Sequence, residues 1–226
     1  MVRVLIFLLI ISTVHSLKAQ DQTKTQRYTY GAITLSPLTA TTPGFKKWKA
    51  GYLYTINKKL KVGLDAALGL EDMPQLDDHE YNNYVLWEIR PEVYHIFNPN
   101  NKYTHWYIST SWFYINHKES LSNGSYKLKN EFNGINYESA DYQRQKYGMH
   151  MKLGFFSNIQ DRFQLNMALG VGGRVRNTKF YNVVTDNTTT EHFGYLYFLD
   201  PREVKGTSYG LDIFMDFKFV YRLSKL

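Results

Sequence analysis

The final stretch of the chain constrains the fold most. From Leu211 to Leu223 every second residue is large and apolar: Leu211, Ile213, Met215, Phe217, Phe219, Tyr221 and Leu223, with Asp212, Phe214, Asp216, Lys218, Val220 and Arg222 between them. Period-two alternation marks a strand with one apolar and one polar face. A run of about a dozen residues exceeds the usual soluble strand and suffices to cross a bilayer at a tilt, which takes about 9–11 residues. Lipid cannot satisfy a free sheet edge, so such strands span a membrane only within a closed barrel.

The same pattern recurs upstream and predicts eight strands. The first, about Tyr28 to Leu38, is the least regular. The second, Lys47 to Ile56, places Trp48, Ala50, Tyr52, Tyr54 and Ile56 in one phase; the third sets Leu60, Val62, Leu64, Ala66, Leu68 and Leu70 against Lys61, Gly63, Asp65, Ala67 and Gly69. The fourth sets Val85, Trp87, Ile89, Pro91 and Val93 against Glu88, Arg90, Glu92 and Tyr94; Pro91, which cannot donate to a ladder, is expected at a bulge. The fifth carries Trp106, Ile108, Thr110, Trp112 and Tyr114; the sixth sets Tyr147 to Phe155 against Gly148, His150, Lys152 and Gly154; the seventh sets Phe163 to Val171 against Gln164, Asn166, Ala168, Gly170, Gly172 and Arg174. Connections near 57–59, 97–102 and 157–161 are short, and those at 71–83, 116–141 and 177–207 are long. Outer-membrane barrels show this asymmetry, with short turns in the periplasm. The predicted fold is all-β: an eight-stranded antiparallel up-and-down transmembrane β-barrel.

In so narrow a barrel the interior is filled by side chains. Lys61, Asp65, Glu88, Arg90, Glu92, Lys152, Arg174, Arg176, Asp212, Asp216 and Lys218 are expected to face inward as an ion-pair network. Both signs are required there, since an unpaired buried charge is very costly. The expectation is a plug and not a pore.

The first twenty residues stand apart. Arg3, the apolar run Val4 to Ile11, and small and polar residues through Gln20 have the layout of a secretory signal peptide, with the barrel domain at 21–226. Cleavage after Ser16, Ala19 or Gln20 fits equally. The chain has no cysteine, which excludes disulfides and a lipoprotein signal. Removing residues 1–20 takes away Arg3 and Lys18 and no acid, so the net charge falls from +7 to +5. The basic residues are scattered, which argues against nucleic acid; the charge reads either as attraction to outer-membrane lipid and lipopolysaccharide or as ordinary solvated charge.

The layout resembles the small eight-stranded outer-membrane barrels of the OmpA/OmpX type, and more closely the short outer-membrane β-barrel proteins of Bacteroidetes-type bacteria. The resemblance rests on the leader ending at Ala19-Gln20, the segment Ile89-Arg90-Pro91-Glu92-Val93-Tyr94, the turn and strand Lys58-Lys59-Leu60-Lys61-Val62-Gly63-Leu64, and the amphipathic last strand. It covers residues 21–226. Barrels of this kind often end in an aromatic residue, whereas this chain runs on to Lys225-Leu226; Tyr221 is the candidate substitute. The resemblance implies a membrane protein with no periplasmic domain after the barrel and no enzymatic role common to the family.

Candidate chemistry is sparse. His79 lies among Glu71, Asp72, Asp77, Asp78 and Glu80, but the spacing matches no metal loop and reads as solvated charge. His95 and His105 flank a turn. Ser109, Ser111, His150 and Glu92 could form a Ser/His/acid set of the kind lipid-modifying barrels use, yet no motif supports it, and hydrogen-bonded interior residues are the preferred reading. Gly170-Val171-Gly172-Gly173 lacks the helix and Lys-Ser/Thr of a phosphate loop. Asn123-Gly124-Ser125 and Asn187-Thr188-Thr189 match glycosylation sequons and read as loop turns. Aromatics in the long segments, Tyr126, Phe132, Tyr137, Phe193, Tyr195, Tyr197 and Phe198, serve either extracellular protein or glycan recognition or strand extensions above the membrane, the latter favoured by alternation.

The expected function is therefore a structural or surface-interaction role in the bacterial outer membrane, without catalysis, cofactor or metal. Two alternatives stay open. One is a lipid-modifying outer-membrane enzyme. The other is a soluble lipocalin-like barrel whose apolar phase faces inward around a small ligand, because alternation alone does not say which face is inside.

Overall fold

The computed structural model describes residues 30–37, 47–71, 82–128, 133–191 and 204–223. They form eight antiparallel strands: β1 (Tyr30–Ser36), β2 (Trp48–Thr55), β3 (Leu60–Leu70), β4 (Asn82–Ile96), β5 (Thr104–Leu128), β6 (Asn133–Asn158), β7 (Phe163–Glu191) and β8 (Val204–Arg222). Each pairs with its neighbour in sequence, and β1 pairs with β8 to close the barrel. That seam has four rungs, Ala32↔Arg222 to Leu35↔Phe219. The leader 1–20, His79, Phe193, Tyr195, Tyr197 and Phe198 lie outside the described residues.

Asparagine side chains shape the short turns. Asn57 Oδ1 accepts the backbone N–H groups of Lys59 (2.8 Å) and Leu60 (2.9 Å). Asn101 Oδ1 accepts those of Tyr103 (2.9 Å) and Thr104 (3.1 Å). Such Asx turns replace ladder bonds at the reversal and fix the register of the strands they join.

The apolar phase faces outward. Leu64, Leu68, Trp87, Ile89, Trp112, Met151, Leu169, Leu211 and Ile213 are exposed, while Asp65, Glu88, Arg90, Glu92, Lys152, Asp216 and Lys218 are buried. This ends the lipocalin-like alternative, which required the apolar phase inside. On the outer face no charged side chain interrupts Val62–Leu70, Val85–Val93, Trp106–Tyr114, Tyr147–Phe155, Phe163–Val171 or Leu211–Tyr221. Aromatic rings edge this band at both ends. Trp106 contacts Phe155 (5.1 Å) and Phe163 contacts Tyr221 (5.1 Å) near the short turns; Trp87 contacts Tyr114 (5.1 Å) at the other end. The nine residues from Trp106 to Tyr114 span about 27 Å of strand, or about 20 Å of height at a tilt near 40°.

Three expectations change. The segments 116–141 and 177–207 are not mainly loops: β5 and β6 pair up to Lys127↔Gly134, and β7 runs to Glu191. These strands outgrow the apolar band and stand above it. The first strand, described over Tyr30–Ser36, ends at Ser36 and not at Leu38. Pro91 does not sit at a bulge. The β4–β5 ladder omits rungs at Arg90 and Pro91 but resumes in the same register, Ile89↔Tyr114 before and Glu92↔Ser111 after, so the missing N–H costs pairing without inserting a residue. The register shift in that ladder lies between Asn82 and Val85, where Asn83 adopts φ 54°.

The upper part of the molecule narrows. The tip of β5 pairs in parallel with the start of β8, Lys127↔Val204 and Leu128↔Lys205. A parallel contact between strands that otherwise run in opposite directions means that the β5 tip leans across the mouth. The four strands β5 to β8 thus close above the shorter β1 to β4.

Candidate functional site

Inward-facing side chains fill the lumen in layers. Nearest the short turns lies an apolar layer of Ala32, Leu53, Tyr94, Ile96, Tyr107, Phe156, Ala168 and Val220. Above it comes the charged layer. Lys218 Nζ meets Asp65 Oδ2 at 2.6 Å, Asp216 Oδ2 at 3.1 Å and Glu92 Oε2 at 3.4 Å, and donates to the Tyr94 hydroxyl at 3.2 Å. Lys152 bridges Glu92 (2.8 Å) and Asp216 (3.3 Å), and Lys49 meets Asp216 at 3.1 Å. Asp65, Glu92 and Asp216 have the spacing of a three-carboxylate cation site. The lysine ammonium supplies that cation from within the chain.

A second group lies higher. Arg90 pairs with Glu88 at 2.7 Å and Lys47 meets the other Glu88 oxygen at 2.5 Å. Asp212 gathers Lys146 (2.9 Å), Arg174 (3.0 Å) and His150 Nε2 (3.2 Å). The His150 ring is held between Phe113 (4.6 Å, 21°) and Phe214 (5.0 Å, 15°). Phe214 also carries the Arg90 guanidinium (4.5 Å) and Lys152 ammonium (4.9 Å) over its face. Aromatic faces thus help hold cations that are cut off from bulk water.

Close packing explains the glycines of β7. A Cβ at Gly170 would run into the Lys152 side chain, and one at Gly172 into the His150 ring. Two apolar layers complete the filling: Tyr84, Leu86, Phe113 and Ile115, then Tyr126, Tyr137, Ala140, Tyr142 and Phe180 in the narrow upper part. Tyr126 and Phe180 stack at 4.6 Å. Tyr126 and Tyr137 are therefore core residues of strand extensions and not exposed recognition side chains.

Of the inward residues named from the sequence, Asp65, Glu92, Lys152, Asp216 and Lys218 share one cluster; Glu88 and Arg90 pair with each other; Arg174 and Asp212 form a third group. Lys61 stands apart, near the short turns. Its Nζ donates to the Tyr30 hydroxyl at 3.3 Å and lies over the Phe156 ring at 4.2 Å. Arg176 is buried in the upper lumen and donates to Ser208 Oγ at 3.2 Å. Sequence reasoning missed Lys47, Lys49 and Lys146. Their signal was parity: Lys47 and Lys49 alternate with the Trp48 face, and Lys146 is in phase with His150 and Lys152.

The Ser/His/acid set does not assemble. Ser109 donates directly to Glu92 Oε1 (2.6 Å), with no imidazole between them. Ser111 is the cross-strand neighbour of His150, but its hydroxyl has no hydrogen-bond partner among the described residues. His150 bonds to Arg90 through Nδ1 (3.0 Å) and to Asp212 through Nε2. Nucleophilic catalysis requires serine, base and acid joined by hydrogen bonds, and here they serve three separate contacts.

No family model matches the chain, and no curated protein matches it in sequence. Among solved structures, the chain is similar to CarO of Acinetobacter baumannii, with 12% identity over 88% of this chain and 99% of that one and a TM-score of 0.42. It is also similar to CarO2 of the same organism, with 8% identity over 86% and 96% and a TM-score of 0.40. Likeness at this level adds nothing to what the closed eight-strand ladder already establishes.

Proposed function

We propose that this protein is an outer-membrane β-barrel whose lumen is closed to solutes and whose role is structural or interactive at the cell surface. The uncharged outward band, edged by aromatic rings at both ends, carries this reading. Water offers no reason to expose so many large apolar side chains in one belt, whereas a bilayer rewards it. The layered filling of the lumen supports a plug, because ion pairs and packed rings occupy the space that a solute would need. The extensions of β5 to β8 stand on the long-loop side and offer the surface for partners, with protein and glycan as the candidate classes. No catalysis or cofactor is invoked.

The test has two parts. Native cells are fractionated, and the outer-membrane fraction is run on gels boiled and unboiled. A band whose migration shifts on boiling supports the membrane barrel; a soluble unshifted band refutes it. Purified protein is then inserted in a planar bilayer. The absence of unitary conductance steps supports the plug, and stable steps refute it.

A further inference from the structure

The short-turn mouth differs from the rest of the lumen. A cavity of about 560 Å³ opens there, bounded by Tyr30, Thr55, Lys61, Ile96, His105 and Arg222 among others. Lys61 and Arg222 are 4% and 2% exposed. Six cations higher in the lumen, Lys49, Arg90, Lys146, Lys152, Arg174 and Lys218, each face a carboxylate within 3.1 Å. Among the described residues Lys61 and Arg222 have no carboxylate at that distance; Asp161 attracts Arg222 only from further off. Lys61 has the Tyr30 hydroxyl and two ring faces. Arg222 donates through Nη2 to Asn158 Oδ1 (2.6 Å) and through Nη1 to the main-chain carbonyl of Asp161 (3.3 Å), lies over the Tyr30 ring (5.4 Å), and leaves Nε unbonded.

Burying two cations beside one tyrosine with no carboxylate in contact is costly, and a protein commonly offsets that cost with a counter-charge. Among the described residues no carboxylate makes that contact, and a cavity takes its place. Lys58, Lys102 and the half-buried His105 add positive or protonatable groups at the rim. A guanidinium with a free N–H beside an ammonium suits a multi-oxygen anion, which accepts from both at once. The volume exceeds that of an inorganic oxyanion and falls in the range of small-molecule sites.

We propose that this mouth binds a phosphate-type oxyanion carried on a small organic group, held by Lys61 and Arg222. The ligand is either a soluble phosphate monoester or the headgroup of a phospholipid. The site is built from the barrel's own strands, so it stands or falls independently of the plug.

The test uses the full refolded chain in an uncharged maltoside detergent, with the thermal midpoint of the gel-shifted form as readout. Inorganic phosphate, glycerol 3-phosphate and phosphatidylglycerol are titrated separately at constant ionic strength, with chloride as control. Saturable stabilisation by phosphate but not chloride is expected, with apparent affinity falling at least about tenfold in Arg222→Gln and in Lys61→Met, the loss of one charge-assisted contact. Lys61→Met is also expected to raise the midpoint without ligand, since it removes an unpaired buried charge; this keeps the test decisive if Arg222→Gln does not fold. Tighter binding of glycerol 3-phosphate than of phosphatidylglycerol identifies a soluble ester as the ligand, and the reverse identifies a lipid headgroup. Absence of saturation by all three up to about 10 mM, or equal binding by wild type and both variants, overturns the proposal.

Discussion

Replacing Lys218 with methionine tests whether the lumen is dry. The ammonium contacts three carboxylates, but they depend on it unequally. Glu92 keeps Lys152 and the Ser109 hydroxyl, and Asp216 keeps Lys49 and Lys152. Asp65 loses its cation and retains the Thr34 hydroxyl at 3.0 Å. In a sealed interior, removing one partner of a buried ion pair costs about 3–5 kcal/mol, because the remaining charge is stranded. In a water-filled channel the same pair is worth about 0–1 kcal/mol. The two outcomes are well separated. The assay is urea unfolding of refolded protein in detergent micelles, with the folded fraction read from unboiled migration. Lys218→Met is expected to lose about 3 kcal/mol or more. Adding Asp65→Asn is expected to recover much of it, giving a coupling of about 2 kcal/mol, because the stranded charge is removed and not merely its partner. A loss under about 1 kcal/mol, or a double variant no more stable than the single, would refute the dry lumen and the plug with it.

Further outcomes follow from other contacts. Ser109→Ala is expected to cost about 1.5–3 kcal/mol, since Ser109 donates to the Glu92 carboxylate, whereas Ser111→Ala, at an unbonded hydroxyl, stays within about 0.5 kcal/mol in the same unfolding assay. Leu169→Arg, in the middle of the outward band of β7, is expected to destabilise the protein in lipid vesicles by about 2–4 kcal/mol; an effect near zero would argue that this face does not meet lipid. Replacing residues 121–139 with a short turn is expected to leave heat-modifiable migration intact, because the β1–β8 seam and the charged layer lie below that segment; loss of the shift would show that the extension is needed for closure.

Where one face met a greasy environment and the other a crowded interior, the pattern was easy to read. The bounds of β3, Leu60–Leu70, coincide with its alternation, and Asn57 and Asn101 announce their turns. Above the apolar band that contrast fades. In Lys118-Glu119-Ser120-Leu121-Ser122 both faces carry polar residues, so the period-two signal vanishes although pairing continues. Inwardness was legible from parity, but partner choice was not. Lys218 reaches Asp65 across 153 residues of sequence, and nothing local to either residue announces the other; barrel closure brings them together. The pair of cations at the mouth was hidden for the same reason, since Lys61 reads as one more member of a mixed-sign network until its surroundings are known.

The unequal strand lengths have a consequence for how this molecule can change over time. β1 and β2 have 7 and 8 residues while β6 and β7 have 26 and 29, so among the described residues the wall rises on the side of β5 to β8 and the β5 tip folds inward over it. The turret holds itself together through its own stacked rings and its own rungs. Substitutions and length changes at its crown leave the seam and the salt-bridged storey beneath them untouched. Such a scaffold separates what must be preserved from what is free to diverge, and it can carry a changing crown on an unchanging base.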